Sequence, residues 1–238
     1  MRGNIHILGG GTFSDVRSHL SLAARAFGGT ARDLTALFNL YLPQTRHPVE
    51  GFILPGQPEV KLHLTKMADH RSTLITNRDV NYRLEAILDD PATAVVIMNV
   101  ALCDYNGTIL EDGQPTPSGS HAERLKSRHG EQTMRLTPAT KLLGKIKNHR
   151  PDVIAVGFKT TAGADETTQV AAAQAQLAEA KSDFVFGNDV VTRQNLLLGP
   201  MPAQDAAERQ YLFMDRNRRH VLHALVREVI ATWERRDV

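Results

Sequence analysis

Cysteine is nearly absent from this 238-residue chain, which carries Cys103 alone. A single thiol excludes an internal disulfide framework and a thiolate-clustered metal site, and it fits a reducing compartment. Cys103 closes an apolar segment and reads as a small buried hydrophobe rather than a nucleophile. Long apolar runs are also lacking: none approaches the ~18 residues of a membrane-spanning helix. Charge of one sign is missing too. Lys and Arg number 28 against 26 Asp and Glu, a formal charge of +2, so no field draws the chain toward nucleic acid or a membrane surface. Met1-Arg2-Gly3-Asn4 leads straight into a strand-like segment without a secretory apolar region. These absences predict a cytoplasmic protein that handles small molecules and engages neither membrane nor nucleic acid. His63 and His70, or His220 and His223, lack a third ligand at metal-binding spacing, so no metal site is expected. The basic run Arg216-Asn217-Arg218-Arg219-His220 reads as a solvated helix face.

What remains is an ordinary globular composition, 42% hydrophobic and 23% charged, of a length that suits one α/β domain with an elaboration. The stretch around which it is organised is Ala94-Val95-Val96-Ile97-Met98, continuing as Asn99-Val100-Ala101-Leu102-Cys103-Asp104-Tyr105. Consecutive apolar residues suit a strand buried on both faces, as in a parallel sheet between helix layers. Ligands bind such sheets beyond the carboxyl ends of the strands, where Asp104 and Ala101 would sit. Two further strands end alike: residues 153–158 run into Lys159-Thr160-Thr161, and residues 183–186 into Gly187-Asn188-Asp189. Near the N-terminus, strand 4–8 ends in Gly9-Gly10-Gly11-Thr12. Val16, Leu20, Ala23, Ala24 and Phe27 then fall at helical spacing, which predicts a helix stopped by Gly28-Gly29. A glycine turn before a helix can cradle an anion, with Arg17 and His19 facing it. These ends together predict one nucleotide-sized pocket.

Elsewhere, helices are expected over residues 31–42 and 79–88, from Thr137-Pro138 onward, from Asp165-Glu166 to about Lys181, and around Leu222, Leu225, Val226, Val229 and Trp233. Residues 43–60 are proline-rich and predict a loop or arm, and residues 43–75 are a candidate dimerisation extension. An edge strand or hairpin arm is expected over 60–64, a long loop over 105–121, a strand over 132–136 and a hairpin over 194–214. The alternation of strands and helices predicts a single α/β domain. It is a Rossmann-like three-layer sandwich with a mostly parallel sheet and a hairpin or arm elaboration.

Several of these stretches together resemble the phosphopantothenate–cysteine ligase (phosphopantothenoylcysteine synthetase) family, which in bacteria often forms the C-terminal half of a DNA/pantothenate metabolism flavoprotein. Gly10-Gly11-Thr12 is similar to its glycine–threonine turn, and Ala101-Leu102-Cys103-Asp104-Tyr105 to its alanine-rich strand end in Ala-Asp-Tyr. Residues 122–127 resemble its basic segment, Ile154-Ala155-Val156-Gly157-Phe158-Lys159 its Val-Val-Gly-Phe strand, and Gly187-Asn188-Asp189 its Ala-Asn-Asp motif. The resemblance implies a Rossmann-like fold, usually dimeric. It also implies a CTP- or ATP-dependent ligase, assisted by Mg2+ and without flavin, that activates the carboxylate of 4′-phosphopantothenate as an acyl-nucleotide for attack by the cysteine amine. It assigns Asp104 to the nucleotide or a metal-bound group, and Arg124, with Lys126 nearby, to the family's essential lysine position. Phe158 and Asn188 would flank and read the base. The family's NxSSGxxG motif is absent after Thr12, which leaves Arg17 and His19 as the expected anion contacts. Two other readings share the pocket: a relative acting on another nucleotide-type substrate, and a non-catalytic nucleotide-binding protein. Convergence of Arg17, His19 and Arg124 with Asp104 on one anion would favour catalysis.

Overall fold

A computed structural model describes residues 3–42, 58–200 and 211–236. In chain order the first elements are β1 (Asn4–Gly11), β2 (Phe13–Arg17), β3 (Leu20–Ala23), α1 (Gly29–Tyr41), β4 (Glu59–Leu64) and α2 (Asn77–Asp89). Next come β5 (Thr93–Ala101), β6 (Tyr105–Glu111), β7 (Gln114–Pro115), β8 (Thr133–Pro138), α3 (Leu143–His149) and β9 (Ile154–Thr161). The chain closes with α4 (Glu166–Ala180), β10 (Phe184–Asp189), β11 (Asn195–Leu198), β12 (Phe213–Asp215) and α5 (Arg218–Arg236).

The apolar run is the middle of the molecule. Val95, Val96 and Ile97 of β5 are fully buried because successive side chains enter opposite layers. Val95 and Ile97 join Ile5, Ile7, Val156 and Phe186 under α1 and α5. Val96 and Met98 join Leu8 and Ala155 under α2 and α3, while α4 covers Val185 and Leu196. Each such large aliphatic side chain contributes roughly 1.5–3 kcal/mol when fully buried. The seven-stranded sheet has the order β12-β11-β10-β9-β5-β1-β4. Neighbours from β4 to β10 pair in parallel and the last two strands antiparallel. This is the expected three-layer α/β sandwich. β4 forms one sheet edge, as the alternation of residues 60–64 suggests. The remainder of the proposed arm, residues 43–57, and the hairpin connection at 201–210 lie outside the described residues.

Three local expectations are corrected. The segment after the glycine turn is not a helix but the antiparallel hairpin β2–β3. Its Val16 and Leu22 approach Gly107 of β6 closely, whereas Leu20 and Phe27, counted on the supposed helical face, are exposed. The helix that follows β1 starts at Gly28-Gly29 rather than stopping there. Residues 105–121 are not a long loop, since β6, β7 and β8 form a second small sheet. Asp112 and Gly113, both at positive φ (50° and 77°), make the tight turn that suits a two-residue hairpin. Thr137-Pro138 ends β8 instead of opening a helix, and α3 begins at Leu143. Proline is tolerated there because β8 lies at the edge of its sheet.

Candidate functional site

From β1 the chain crosses to β4 on one side and then returns past β1 to β5 on the other. The carboxyl ends of β1 and β5 therefore flank the point where the winding reverses, the place at which open α/β sheets take their ligands. A small polar knot holds this point. Thr12, fully buried, donates its hydroxyl to Asn77 Oδ1 at 2.7 Å and accepts from the backbone N–H of Cys103 at 3.0 Å. Asn77 Nδ2 donates to the Cys103 carbonyl at 2.8 Å. Thr12 N–H donates to the Ala101 carbonyl at 3.0 Å. The knot joins β1, β5 and the start of α2, and the following residue, Asp104, stands exposed. Its backbone carbonyl accepts from Ala139, while its carboxylate has no partner among the described residues. Cys103 is buried beside the knot, as its apolar setting suggests.

The glycine turn serves packing. A Cβ on Gly9 would collide with Ala31, one on Gly10 with Thr65, and one on Gly11 with the Ala24 carbonyl. Gly10 also has φ +101°, a conformation side chains rarely adopt. Arg17 is buried. Its guanidinium is bound to the Pro117 and Val16 carbonyls and the Thr116 hydroxyl, which ties β2 to the segment that follows β7. His19 lies in the exposed turn between β2 and β3. The anion cradle expected of these residues is corrected accordingly: a helix N-terminus does not follow Thr12, and Arg17 is consumed internally. Arg124 and Lys126 follow β7 on an exposed segment, Lys126 3.7 Å from Glu123 and Arg124 unpaired among the described residues. No hydrogen bond or ion pair among the described residues joins either to Asp104.

The ends of β9 and β10 do come together. Phe158 stacks on Phe186 with ring centroids 5.1 Å apart, and the Thr160 hydroxyl reaches Asn188 at 3.1 Å. Lys159, half-buried, lies between Phe158 and Thr160. Arg218, from the first turn of α5, lies 4.8 Å over the Phe186 ring and donates to Asn195 and to Thr30 at the start of α1. Burial, partly offset by Asp33, pulls its pKa down. The basic run containing Arg218 is thus not wholly a solvated face. An aromatic neighbour two strands away, invisible along the chain, captures one of its guanidinium groups. Below it, α1 starts on Gly28 at φ 72° without a side-chain cap, and nothing crowds Gly29. Free N–H groups at such a start favour a phosphate oxygen.

Asp189 plays a different part from its neighbour. Burial acts to raise its pKa, but N–H groups of Thr192, Ala164 and Gly163 and the Thr161 hydroxyl hold the carboxyl well below the usual range. Its two oxygens accept from Thr161, Gly163, Ala164, Val191 and Thr192. It is the staple of two strand-end turns, which corrects its assignment to ligand binding. A separate cavity of about 400 Å³ opens between the β2–β3 hairpin and the α2 N-terminus, lined by Ser14, Asn77, Arg78, Asn106, Ser120 and His121.

No protein-family model matches the sequence, and no curated protein matches it. Solved structures do. The DNA/pantothenate metabolism flavoprotein from Streptococcus pneumoniae superposes with a TM-score of 0.69 at 18% identity, over 97% of this chain and 99% of the other. The C-terminal domain of the coenzyme A biosynthesis bifunctional protein CoaBC gives 0.56 at 12% identity, over 97% and 93%. A Cab2 variant in complex with phosphopantothenate-cysteine gives 0.61 at 13% identity, over 98% and 87%. The likeness establishes the fold. These structures are of the same kind of protein that the sequence motifs resemble.

Proposed function

We propose that the chain is a nucleotide-dependent ligase of the phosphopantothenate–cysteine ligase type. What supports this reading is the presence, at the carboxyl end of one parallel sheet, of a group suited to a base and phosphates and of an exposed carboxylate. Phe158, Asn188, Arg218 and the open start of α1 form the first; Asp104 forms the second. On this reading the nucleobase lies against Phe158 and is read by Asn188. The phosphates meet the α1 N–H groups, with Arg218 as the nearby cation. A substrate carboxylate oxygen then attacks the α-phosphorus, and the bond to the β-phosphate oxygen breaks as pyrophosphate leaves. The cysteine nitrogen attacks the resulting acyl carbon, the nucleoside monophosphate departs, and the amine loses a proton. Alignment of carboxylate and phosphorus within one rigid crevice is the main source of acceleration. No group of three His, Cys, Asp or Glu side chains suited to a metal exists among the described residues. A lone carboxylate such as Asp104 fits Mg2+ carried in on the triphosphate, where it would neutralise phosphate charge. The reading needs no flavin.

A homodimer belongs to the same proposal. All six residues of β8 are exposed, at the edge of the small sheet, with Met134 and Leu136 of β8 and the neighbouring Tyr105 presenting apolar surface. An exposed strand edge of this kind pairs readily with a second copy.

The test is pyrophosphate release with magnesium and CTP or ATP, with and without 4′-phosphopantothenate and cysteine. Release that requires phosphopantothenate is expected. Thermal stabilisation by a nucleotide without release would favour the second reading, a relative that binds a nucleotide but acts on another acceptor or not at all. One observation favours that second reading: Arg17, His19 and Arg124 do not converge on Asp104.

A further inference from the structure

On the α2 side of the sheet, a cavity of about 450 Å³ opens beside the edge strand β4. It is lined by His63 and the 69–74 turn, with Arg71, Ser72 and Thr73, and by Arg83 of α2. The turn is fixed against the strand: Ser72 Oγ donates to the Leu64 carbonyl at 2.5 Å, Lys66 N–H to the Leu74 carbonyl at 2.8 Å, and Arg71 N–H to Asp69 Oδ1 at 3.0 Å. Neither guanidinium, of Arg71 or of Arg83, has a hydrogen bond or ion pair among the described residues. Asp69 is the one carboxylate of the lining; its Oδ1 accepts from the Arg71 N–H and lies 4.0 Å from His70 Nδ1, and the two guanidinium groups outnumber its charge.

The tautomer of His63 follows from its partners. Thr93 donates its only hydroxyl hydrogen to the Ile87 carbonyl at 2.5 Å, so it can only accept from His6 Nε2, 3.4 Å away. His6 therefore carries its proton on Nε2 and accepts on Nδ1. His63 Nε2, 3.0 Å from that nitrogen, must then be the donor of the pair. The rings are nearly parallel, at 6°. This leaves His63 Nδ1 as a bare acceptor with no partner among the described residues, in a cavity that otherwise presents two arginines, two hydroxyls and the Asp69 carboxylate. Burial, with His6, Arg83 and Lys61 beside it, holds the His63 pKa at about 4, so the ring is neutral at neutral pH. An occupant must satisfy both features: negative charge for the arginines and a proton to donate to Nδ1.

We propose that this cavity is a second ligand site, which takes the hydrogen-phosphate group of a small phosphomonoester. The arginines bind the anionic oxygens, and the protonated phosphate oxygen donates to His63 Nδ1. A bare phosphate would leave much of the cavity unfilled, so an esterified phosphate suits it better.

The test is an NMR titration of the whole chain with inorganic phosphate, glycerol 3-phosphate and sulfate near pH 6.5. Saturable shifts at Arg71, Ser72, Thr73 and the His63 ring are expected. Phosphate should bind roughly tenfold more tightly than sulfate, which has no proton to give at this pH, the ratio one charge-assisted hydrogen bond supplies. Tighter binding of glycerol 3-phosphate identifies the ester as the occupant, and equal binding the free ion. Arg71→Ala with Arg83→Ala, two exposed positions, should abolish the shifts with the spectrum otherwise intact. His63→Phe should remove the preference for phosphate over sulfate. Shifts absent from the 69–74 turn, a lack of discrimination between phosphate and sulfate in the unaltered protein, or shifts that survive the double substitution would each overturn the proposal.

Discussion

At the scale of single residues, Asn77 ties the ends of β1 and β5 to the start of α2. Asn77 donates to the carbonyl of buried Cys103, which loses this partner if the amide is removed, and shares the Cys103 N–H with the Thr12 hydroxyl. Asn77→Ala is expected to cost about 2–3 kcal/mol, read as a lower midpoint in urea unfolding with an unchanged slope. Asp104 is different. Exposed and unpartnered, it adds little to the fold, so Asp104→Ala should leave the melting temperature in place while pyrophosphate release falls by roughly a hundredfold or more. The buried imidazole pair sets a pH dependence. Burial, Lys61 and Arg83 lower the His6 pKa to about 4, against opposing contributions from Asp90 and Glu59. In the unfolded chain both rings titrate at the ordinary histidine value of 6.5. Between these values the unfolded state binds more protons, so stability falls as pH drops. Thermal melts from pH 7 to pH 4.5 should show a steady decline, and a melting temperature that rises through this window would contradict it. Cys103 could be recognised as buried from its apolar neighbours. Asp189 was misread because an acid at a strand end looks the same whether it faces a ligand or four backbone N–H groups. Only the folded turns at 161–164 and 189–192 tell these apart.

Elements were legible wherever burial on one face imposed a period. β5, α2, α4 and α5 match their patterns because sheet and helix layers demand them. The β2–β3 hairpin was not legible. Val16, Leu20, Ala23, Ala24 and Phe27 happen to repeat at helical spacing, but only Val16 is fully buried. What fixes the segment is a distant strand, through Gly107 against Val16 and Leu22. Asp112-Gly113 did carry a hairpin signal that glycine and proline around it obscured. The start of α1 offers a test at this scale. Gly28 has φ 72°, and a Cβ there would lie 2.9 Å from both Ala68 and Leu64. Gly28→Val should cost about 2–3 kcal/mol through strain and contact. It should also weaken nucleotide-induced thermal stabilisation more than Asp104→Ala does, since it moves the helix start itself.

For the whole molecule, the order of strands determines what the chain can do alone. With β8 open along its edge, sedimentation at tens of micromolar is expected to give a dimer, and a sharp monomer boundary would remove β8 from consideration as an interface. The three-layer plan was readable because each strand–helix alternation is local, whereas the placement of the small β6–β7–β8 sheet depends on contacts between distant segments. The position of β1 has a further consequence. It is the first strand in the chain, yet both of its neighbours come later: Leu8 pairs with His63 on one side and with Met98 on the other. As the polypeptide leaves the ribosome, β1 emerges with neither ladder available and must wait through α2 for its inner partner. In refolding of the full chain, β9–α4–β10 joins neighbouring strands through a single helix, and its shorter loop closure makes it the expected start, with the two β1 ladders closing last. The crevice comes into being only at that final step, so a ligand bound there reports a completed sheet.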